Sequence, residues 1–249
     1  MHRSMKSTVA HHRPHLLKAL EDRYSAAGPL SLQNLRGLWK RNAWYGTIVL
    51  ARILKRSIDI LGASVGLLVL SPVFLIVACA IGLHDRGPIF FVHKRVGQWG
   101  REFDFPKFRS MVCNAEALKE QLLSQNHHKD GVTFKINGDP RVTPIGRWLR
   151  KTSIDELPQL WSVFKGDMSL VGPRPPIPDE VLKYKLADRR RLDVKPGLTC
   201  YWQVEGRGDI PFAKQVEMDI RYVDSQSIWV DIWLLIKTIP AVIQGKGAY

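Results

Sequence analysis

Cysteine is scarce in this chain of 249 residues. Cys79, Cys113 and Cys200 lie too far apart for a zinc ligand set, and an odd count excludes a closed disulfide framework, so a reducing surrounding is expected. Acid is short as well: 23 Asp and Glu stand against 37 Lys and Arg, a formal net charge of +14. Such a balance calls for an acidic partner, whether nucleic acid, an anionic membrane face or a phosphorylated substrate. No helix-turn-helix, zinc-finger or RNA-recognition signature is present, which sets nucleic acid aside. There is no internal repeat. The basic opening "MHRSMKSTVAHHRPHLLKAL" has no apolar core with a small-residue cleavage site, so it reads as a polar tail and not as a signal peptide.

Long uncharged runs are missing too, with one exception. Residues 60 to 83, "ILGASVGLLVLSPVFLIVACAIGL", carry no charge over 24 positions. As a helix they would just cross a ~30 Å hydrocarbon core. Ser71 and Pro72 sit at the midpoint, and proline removes a backbone hydrogen bond while crowding the preceding turn, so a kink is expected. The segment could span with a kink, or enter the membrane, bend and leave by the same face. Lys55 and Arg56 before it, and Arg86, Lys94 and Arg95 after it, pull both ends toward the cytoplasm and favour the re-entrant form. Asp59 at the entry is expected to pair with Arg56 or a neighbouring cation. Upstream, residues 32 to 56 interleave basic residues with Leu, Trp and Tyr, as an interfacial helix does. Trp229, Trp233 and Ile236 recur at helical spacing near the C-terminus, marking either a core face or a membrane-surface face.

Beyond Leu83 the apolar runs shorten and Gly and Pro punctuate them. "PIFFVHKRVG" and "REFDFPKFRSM" predict two strands joined by the turn "GQWG". "AEALKEQLLSQ" predicts a polar-faced helix, "PQLWSVFKG" a helix ending near Gly166, and a further helix starts near Phe212. The expected fold class is α/β in the α+β sense, mostly helical. Residues 1–51 form a basic tail and interfacial helix, 52–84 a re-entrant helix, and 85–249 a catalytic domain.

The stretch "TSIDELPQL", residues 152 to 160, places Asp155 and Glu156 side by side after the cationic run "GRWLRK". Ser153 and Glu156 fit a capping box, although Pro158 then falls too deep in the helix and a start nearer Asp155 suits it better. The alternative is a catalytic centre. Cations cluster beside turn signals: Lys107 and Arg109 in "KFRSM", Arg147 and Arg150 in "GRWLRK", Arg174 in "VGPRP" and Arg207 in "EGRG". Arginine at a tight Gly/Pro turn presents a planar fork to phosphate oxygens, so these point to a phosphorylated ligand at a bilayer surface.

"KRSID" leading into the broken apolar segment, "GPIFFVHKRVG", "KFRSM", "GDPRVTPIGRWLRKTSIDELPQLWSVFKGDMSLVGPRP" and "PGLTCYWQVEGR" together resemble the bacterial sugar transferases, the monotopic polyprenyl-phosphate phosphoglycosyl transferases. The likeness runs from about residue 52 to the C-terminus. The ending "GKGAY" and the lack of four preceding membrane helices look most like the short members that start exopolysaccharide synthesis. The resemblance implies transfer of a hexose 1-phosphate from a UDP-sugar, glucose or galactose, to undecaprenyl phosphate, with Mg²⁺, on the cytoplasmic side of a bacterial inner membrane. It implies Asp155 as nucleophile and Glu156 as its metal-binding neighbour, with Lys107, Arg150 and Arg174 as cationic site residues and the bend at Ser71-Pro72. Cys200-Tyr201 departs from the glycine and aliphatic residue usual there. The other class of reading is a non-catalytic membrane-surface scaffold for glycan assembly.

Overall fold

The computed structural model describes residues 32–122, 136 and 138–244; the tail before residue 32, the end of the helix predicted at 115–125 and the final "GKGAY" lie outside them. The chain divides into two compact units, Met1–Leu54 and Lys55–Tyr249. In the first, the described residues are helical, as expected from the interleaved basic and aromatic pattern, and expose Trp39, Trp44 and Tyr45.

Helix α1 (Leu32–Val69) stops one residue before α2 (Ser71–Asp85), and the two axes differ by 57°. The sequence shows why. Pro72 has no N–H for the carbonyl of Leu68, and the Ser71 hydroxyl donates to that carbonyl instead, at 2.8 Å. The pair therefore breaks the helix without leaving an orphaned acceptor. Among the described residues no single helix is long and apolar enough to cross a membrane, while the bent pair meets that test together.

"KRSID" fastens the end of α1 to the rest of its unit. Lys55 donates to Asp231 at 2.5 Å and to Tyr222 and the Val171 carbonyl at 3.2 Å. Asp59 does not pair with a cation as expected. It is buried and accepts from the Ser169 hydroxyl and the Leu170 N–H, each at 2.9 Å, while Arg56 goes to the Val163 and Phe164 carbonyls at 2.7 Å. Those two carbonyls lie in the last turn of a helix, where the Gly166 N–H reaches that of Val163 at 3.1 Å but not that of Phe164, and this shortage of donors draws the guanidinium away. Small residues let the helix approach: Ala63 is fully buried, and a Cβ at Gly62 would lie 2.7 Å from the Leu170 side chain. Leu61, Val65, Leu68, Leu75 and Ile76 remain exposed on the other side.

Strands β1 (Phe90–Val96) and β2 (Glu102–Phe108) form the predicted antiparallel hairpin, in register from Phe90 opposite Phe108 to Val96 opposite Glu102. Its turn uses Gly100 at a φ of 79°. Helix α3 (Ala115–Leu122) follows, then α4 (Pro144–Thr152), whose N-cap Thr143 accepts the Gly146 N–H. At Gly146 a side chain is excluded, because a Cβ would fall 1.9 Å from the Ser110 carbonyl oxygen. A 3-10 turn (Ile154–Gln159) leads into α5 (Leu160–Lys165), capped by Gly166 as expected.

Two parallel strands, β3 (Ser169–Val171) and β4 (Gly197–Thr199), flank α6 (Pro178–Leu182) in sequence. The loops around them lock together: Gly172 donates to the Thr199 carbonyl at 3.0 Å and Gly197 to that of Pro173 at 2.9 Å. A Cβ at Gly197 would lie 2.0 Å from the Gly172 nitrogen, so glycine is needed to hold "VGPRP" this close. Cys200 keeps that backbone pairing and is buried in the main core as the N-cap of α7 (Tyr201–Glu205). Helices α8 (Phe212–Ser225) and α9 (Ile228–Gln244) close the unit. On α9 Asp231 and Leu234 face inward, while Trp229, Trp233 and Ile236 are exposed, so the spaced aromatics are not a core face.

Candidate functional site

The capping box does not form. Ser153 is the left-handed residue that ends α4, at φ 58°, and makes no side-chain cap bond. The chain then tightens into i to i+3 bonding, with the Glu156 N–H on the Ser153 carbonyl at 3.2 Å, which tolerates Pro158. This frees the Glu156 carboxylate, which two cations take up. Lys107 and Arg174 each reach its Oε1 at 2.7 Å. Lys107 comes from β2, which packs against the 3-10 turn, and Arg174 from the loop locked by Gly172 and Gly197.

These groups line a cleft of about 810 Å³, together with Asp155, Arg150 and Arg207. The Arg150 Nε donates to the Ser110 hydroxyl at 2.9 Å, which aims the guanidinium from the last turn of α4. Arg109 also reaches the wall, but both its terminal nitrogens go to the Asp85 carboxylate, so its charge is already matched. Arg147 stays outside: α4 buries Gly146 and Leu149, which leaves Arg147 exposed on the opposite side. Ser71 and Pro72 belong to the helix break and not to the cleft.

The two adjacent carboxylates are driven apart. Asp155 is buried, and burial pushes it up to about 6 against the pull of Lys107, with the Glu156 charge adding to the rise. The Arg-rich setting alone suggests a readily ionised group, but desolvation wins. Burial also acts on Glu156, yet the charges and hydrogen bonds of Arg174 and Lys107 outweigh it and hold it well below the usual carboxylate range. Burial lowers Lys107, Arg150 and Arg207 from their ordinary values, Glu156 and Asp155 opposing it in each case. Near neutral pH the site thus holds two carboxylates of different character inside a cationic wall: one with its oxygens committed to Lys107 and Arg174, one poised to lose or gain a proton.

Three residues of the site region carried no turn signal in the sequence. Arg95 sits mid-strand in β1 and lines the cleft, its guanidinium 5.2 Å over the Phe105 ring and donating to the Pro175 carbonyl at 3.1 Å. Alternation with Phe91 and His93, four and two residues before it, was the available clue. Arg191 and Asp219 form a buried ion pair behind the wall. Arg191 donates as well to the Tyr184 hydroxyl and to the carbonyl of Arg174, which steadies the cation at the front.

Among the described residues no three His, Cys, Asp or Glu side chains gather to bind a metal. The donor set fits a magnesium ion in its sparser mode, in which one or two carboxylates and a substrate's phosphates share the coordination. Glu156, kept ionised and with its Oε2 in only a 3.4 Å contact with Arg174, would be such a carboxylate.

A family model described as bacterial sugar transferase matches residues 50–245. The chain is 48% identical over 197 residues to the galactosyl transferase CpsE of Streptococcus agalactiae, covering 79% of this chain and 43% of that protein. It is 42% identical over 198 residues to the exopolysaccharide production protein ExoY of Rhizobium meliloti, covering 78% of this chain and 88% of that one. To the undecaprenyl-phosphate galactose phosphotransferase of Salmonella typhimurium it is 42% identical over 205 residues, 80% of this chain and 42% of that protein. The chain thus spans less than half of two of these relatives and most of the other.

Proposed function

The chain belongs to the bacterial sugar transferase family, and from that premise we propose that it moves a hexose 1-phosphate from a UDP-sugar to undecaprenyl phosphate at the first membrane step of exopolysaccharide synthesis. The observation that carries the reading is Asp155, a buried carboxylate with no hydrogen-bond partner among the described residues, set beside a carboxylate that Lys107 and Arg174 hold. Two displacements follow. An Asp155 oxygen attacks the sugar-bearing phosphorus, the bond to the nucleoside phosphate breaks, and UMP leaves with the electron pair. An oxygen of the lipid phosphate then attacks the resulting acyl phosphate and frees Asp155. Lys107, Arg150 and Arg174 offset the charge that develops on the phosphoryl oxygens. A magnesium ion at Glu156 would supply further charge neutralisation between the carboxylates and the donor diphosphate.

Purified protein given UDP-glucose or UDP-galactose, undecaprenyl phosphate and Mg²⁺ should release UMP and form the lipid-linked sugar. Release of free sugar phosphate without lipid would make it a hydrolase, and no UMP from any UDP-hexose would leave the scaffold reading. The pH dependence adds a sharper check. Only ionised Asp155 attacks, so UMP release in the absence of lipid should fall tenfold per pH unit below about 6 and be level above it. The donor has no group of its own titrating in that range. A level profile from pH 5 to 8 would contradict a nucleophile with this environment. Chelation should stop the same release, and undiminished release in excess chelator would remove the metal from the account.

The helix pair takes the re-entrant form in this reading, with basic residues at both ends and apolar side chains exposed between them. Ser57→Cys and Pro88→Cys, introduced into a variant without Cys79 and Cys113, should both be shielded in intact cells from an impermeant thiol reagent. Labelling of one but not the other would mean a kinked span.

A further inference from the structure

We propose that Arg95 binds the nucleoside-side phosphate of the donor, so that the donor lies along β1 with its nucleotide end at Arg95 and its sugar phosphate at Asp155. The inference rests on the reading of the cleft as a site for a nucleoside diphosphate sugar.

The hairpin register puts Lys107 opposite Phe91 and Arg95 opposite Phe103, four positions along the ribbon and roughly 13 Å between Cα atoms. Both side chains lean over the ring between them, Arg95 at 5.2 Å and Lys107 at 5.4 Å from the Phe105 centroid. Their charges are thus brought to one ring, near enough for the Arg95 charge to act on Lys107. That is how two cations come to serve the neighbouring phosphates of one diphosphate.

Arg95 is also a cation of this wall with an unmet need; Arg150 and Arg207 likewise have no paired carboxylate among the described residues, but Arg95 is the one that shares the Phe105 ring with Lys107. Lys107 and Arg174 have Glu156, and Arg191 has Asp219. No carboxylate pairs with Arg95 among the described residues; it spends one N–H on the Pro175 carbonyl, and its buried Nε has no partner. Glu180, the other acid whose charge reaches it, accepts the Ile177 N–H. The Arg174 guanidinium close by makes the position costlier, and burial with that repulsion lowers Arg95 to about 10. A half-buried guanidinium facing a cleft beside a like charge calls for an anion between them.

Direction comes from the other end of the strand. Phe90 stacks on Phe108 at 5.3 Å, and Phe108 meets Phe74 of α2 at the same distance. The start of β1 thus abuts the bent helix pair, where a lipid acceptor would arrive. Arg95 lies five residues further on, roughly 17 Å away, beside the Pro175 to Ile177 loop. When the bond between the two phosphates breaks, the oxygen that gains charge belongs to the nucleoside phosphate, and Arg95 is the fork that receives it.

The test uses the full-length protein with UMP and UDP-hexose as probes. Arg95→Met should weaken UMP inhibition and slow UMP release in the absence of lipid, each by about ten- to a hundredfold, as the loss of a charged hydrogen bond does. Sugar transfer from pre-loaded enzyme to lipid should keep its wild-type rate. Arg95→Lys, which keeps the charge without the fork, should fall between the two. Unchanged UMP inhibition in either folded variant, or equal slowing of both half-reactions, would overturn the assignment. A wild-type protein that releases no UMP from any UDP-hexose would instead defeat the reading of the site, and UMP binding weakened by Arg95→Met would still stand.

Discussion

Asp155→Asn should abolish sugar-phosphate transfer and at the same time make the protein more stable. An amide is a poor nucleophile, and loss of a residue that forms the covalent bond commonly costs about 10⁴- to 10⁶-fold in turnover. Stability moves the other way because of where the carboxylate sits. Burial raises Asp155 from 3.8 to about 6, so above pH 6 the folded protein carries a charge that it holds less well than water does. At 1.36 kcal/mol per pH unit, removing that charge is worth up to about 3 kcal/mol. The sign fixes the window: the gain is full above pH 6, shrinks as the pH falls through 6 toward 4, and is gone below both values. Melting curves of the two proteins at pH 5, 6, 7 and 8 check it. A variant less stable than the parent at pH 8 would mean that Asp155 mainly balances Lys107, Arg150 and Arg174.

Asp219→Ala should do the reverse damage. Arg191 and Asp219 are both almost wholly buried, and truncating one leaves the other as an unpaired charge in the interior. The cost of breaking such a pair is about 3–5 kcal/mol. For a chain of this size that lowers the melting temperature by roughly 10 °C. Because Arg191 also donates to the Arg174 carbonyl, the cation that holds Glu156 should loosen as well. Residual activity at a temperature where the variant is folded should therefore fall more than tenfold. A shift under about 2 °C would show that the pair is not the brace of the wall. Burial also pushes Asp219 up to about 6, so its attraction to Arg191 is won against desolvation.

What could be read from sequence alone follows the range of the forces involved. The hairpin, the helix stop at Gly166 and the break at Ser71-Pro72 are set by neighbours in the chain, through turn glycines, alternation and a missing N–H, and each was found where the residues place it. Asp155 and Glu156 stood out because they are adjacent. Lys107, Arg150, Arg174 and Arg207 stood out through their turns. What escaped was set by contacts between distant segments. Asp59 bonds to residues 110 and 111 positions away, and nothing local forecasts a hydroxyl and an amide as its partners. Ser153 and Glu156 had the spacing of a capping box, but a left-handed residue at 153 and two cations from β2 and the "VGPRP" loop outbid the backbone for the carboxylate. Arg95 had no turn to mark it, and Arg147 had the right chemistry on the wrong side of a helix.

The central claim is that Asp155 carries the sugar phosphate. Purified protein incubated with UDP-hexose and Mg²⁺ in the absence of lipid, quenched rapidly and weighed intact and after digestion, tests it directly. The account predicts about one equivalent of UMP per enzyme, a gain equal to one hexose phosphate on the peptide that contains Asp155, loss of that mass when undecaprenyl phosphate is added, and neither signal in Asp155→Asn. UMP formed only when lipid is present, with no added mass at any time, would mean that the lipid phosphate attacks the donor directly and that Asp155 is not the nucleophile.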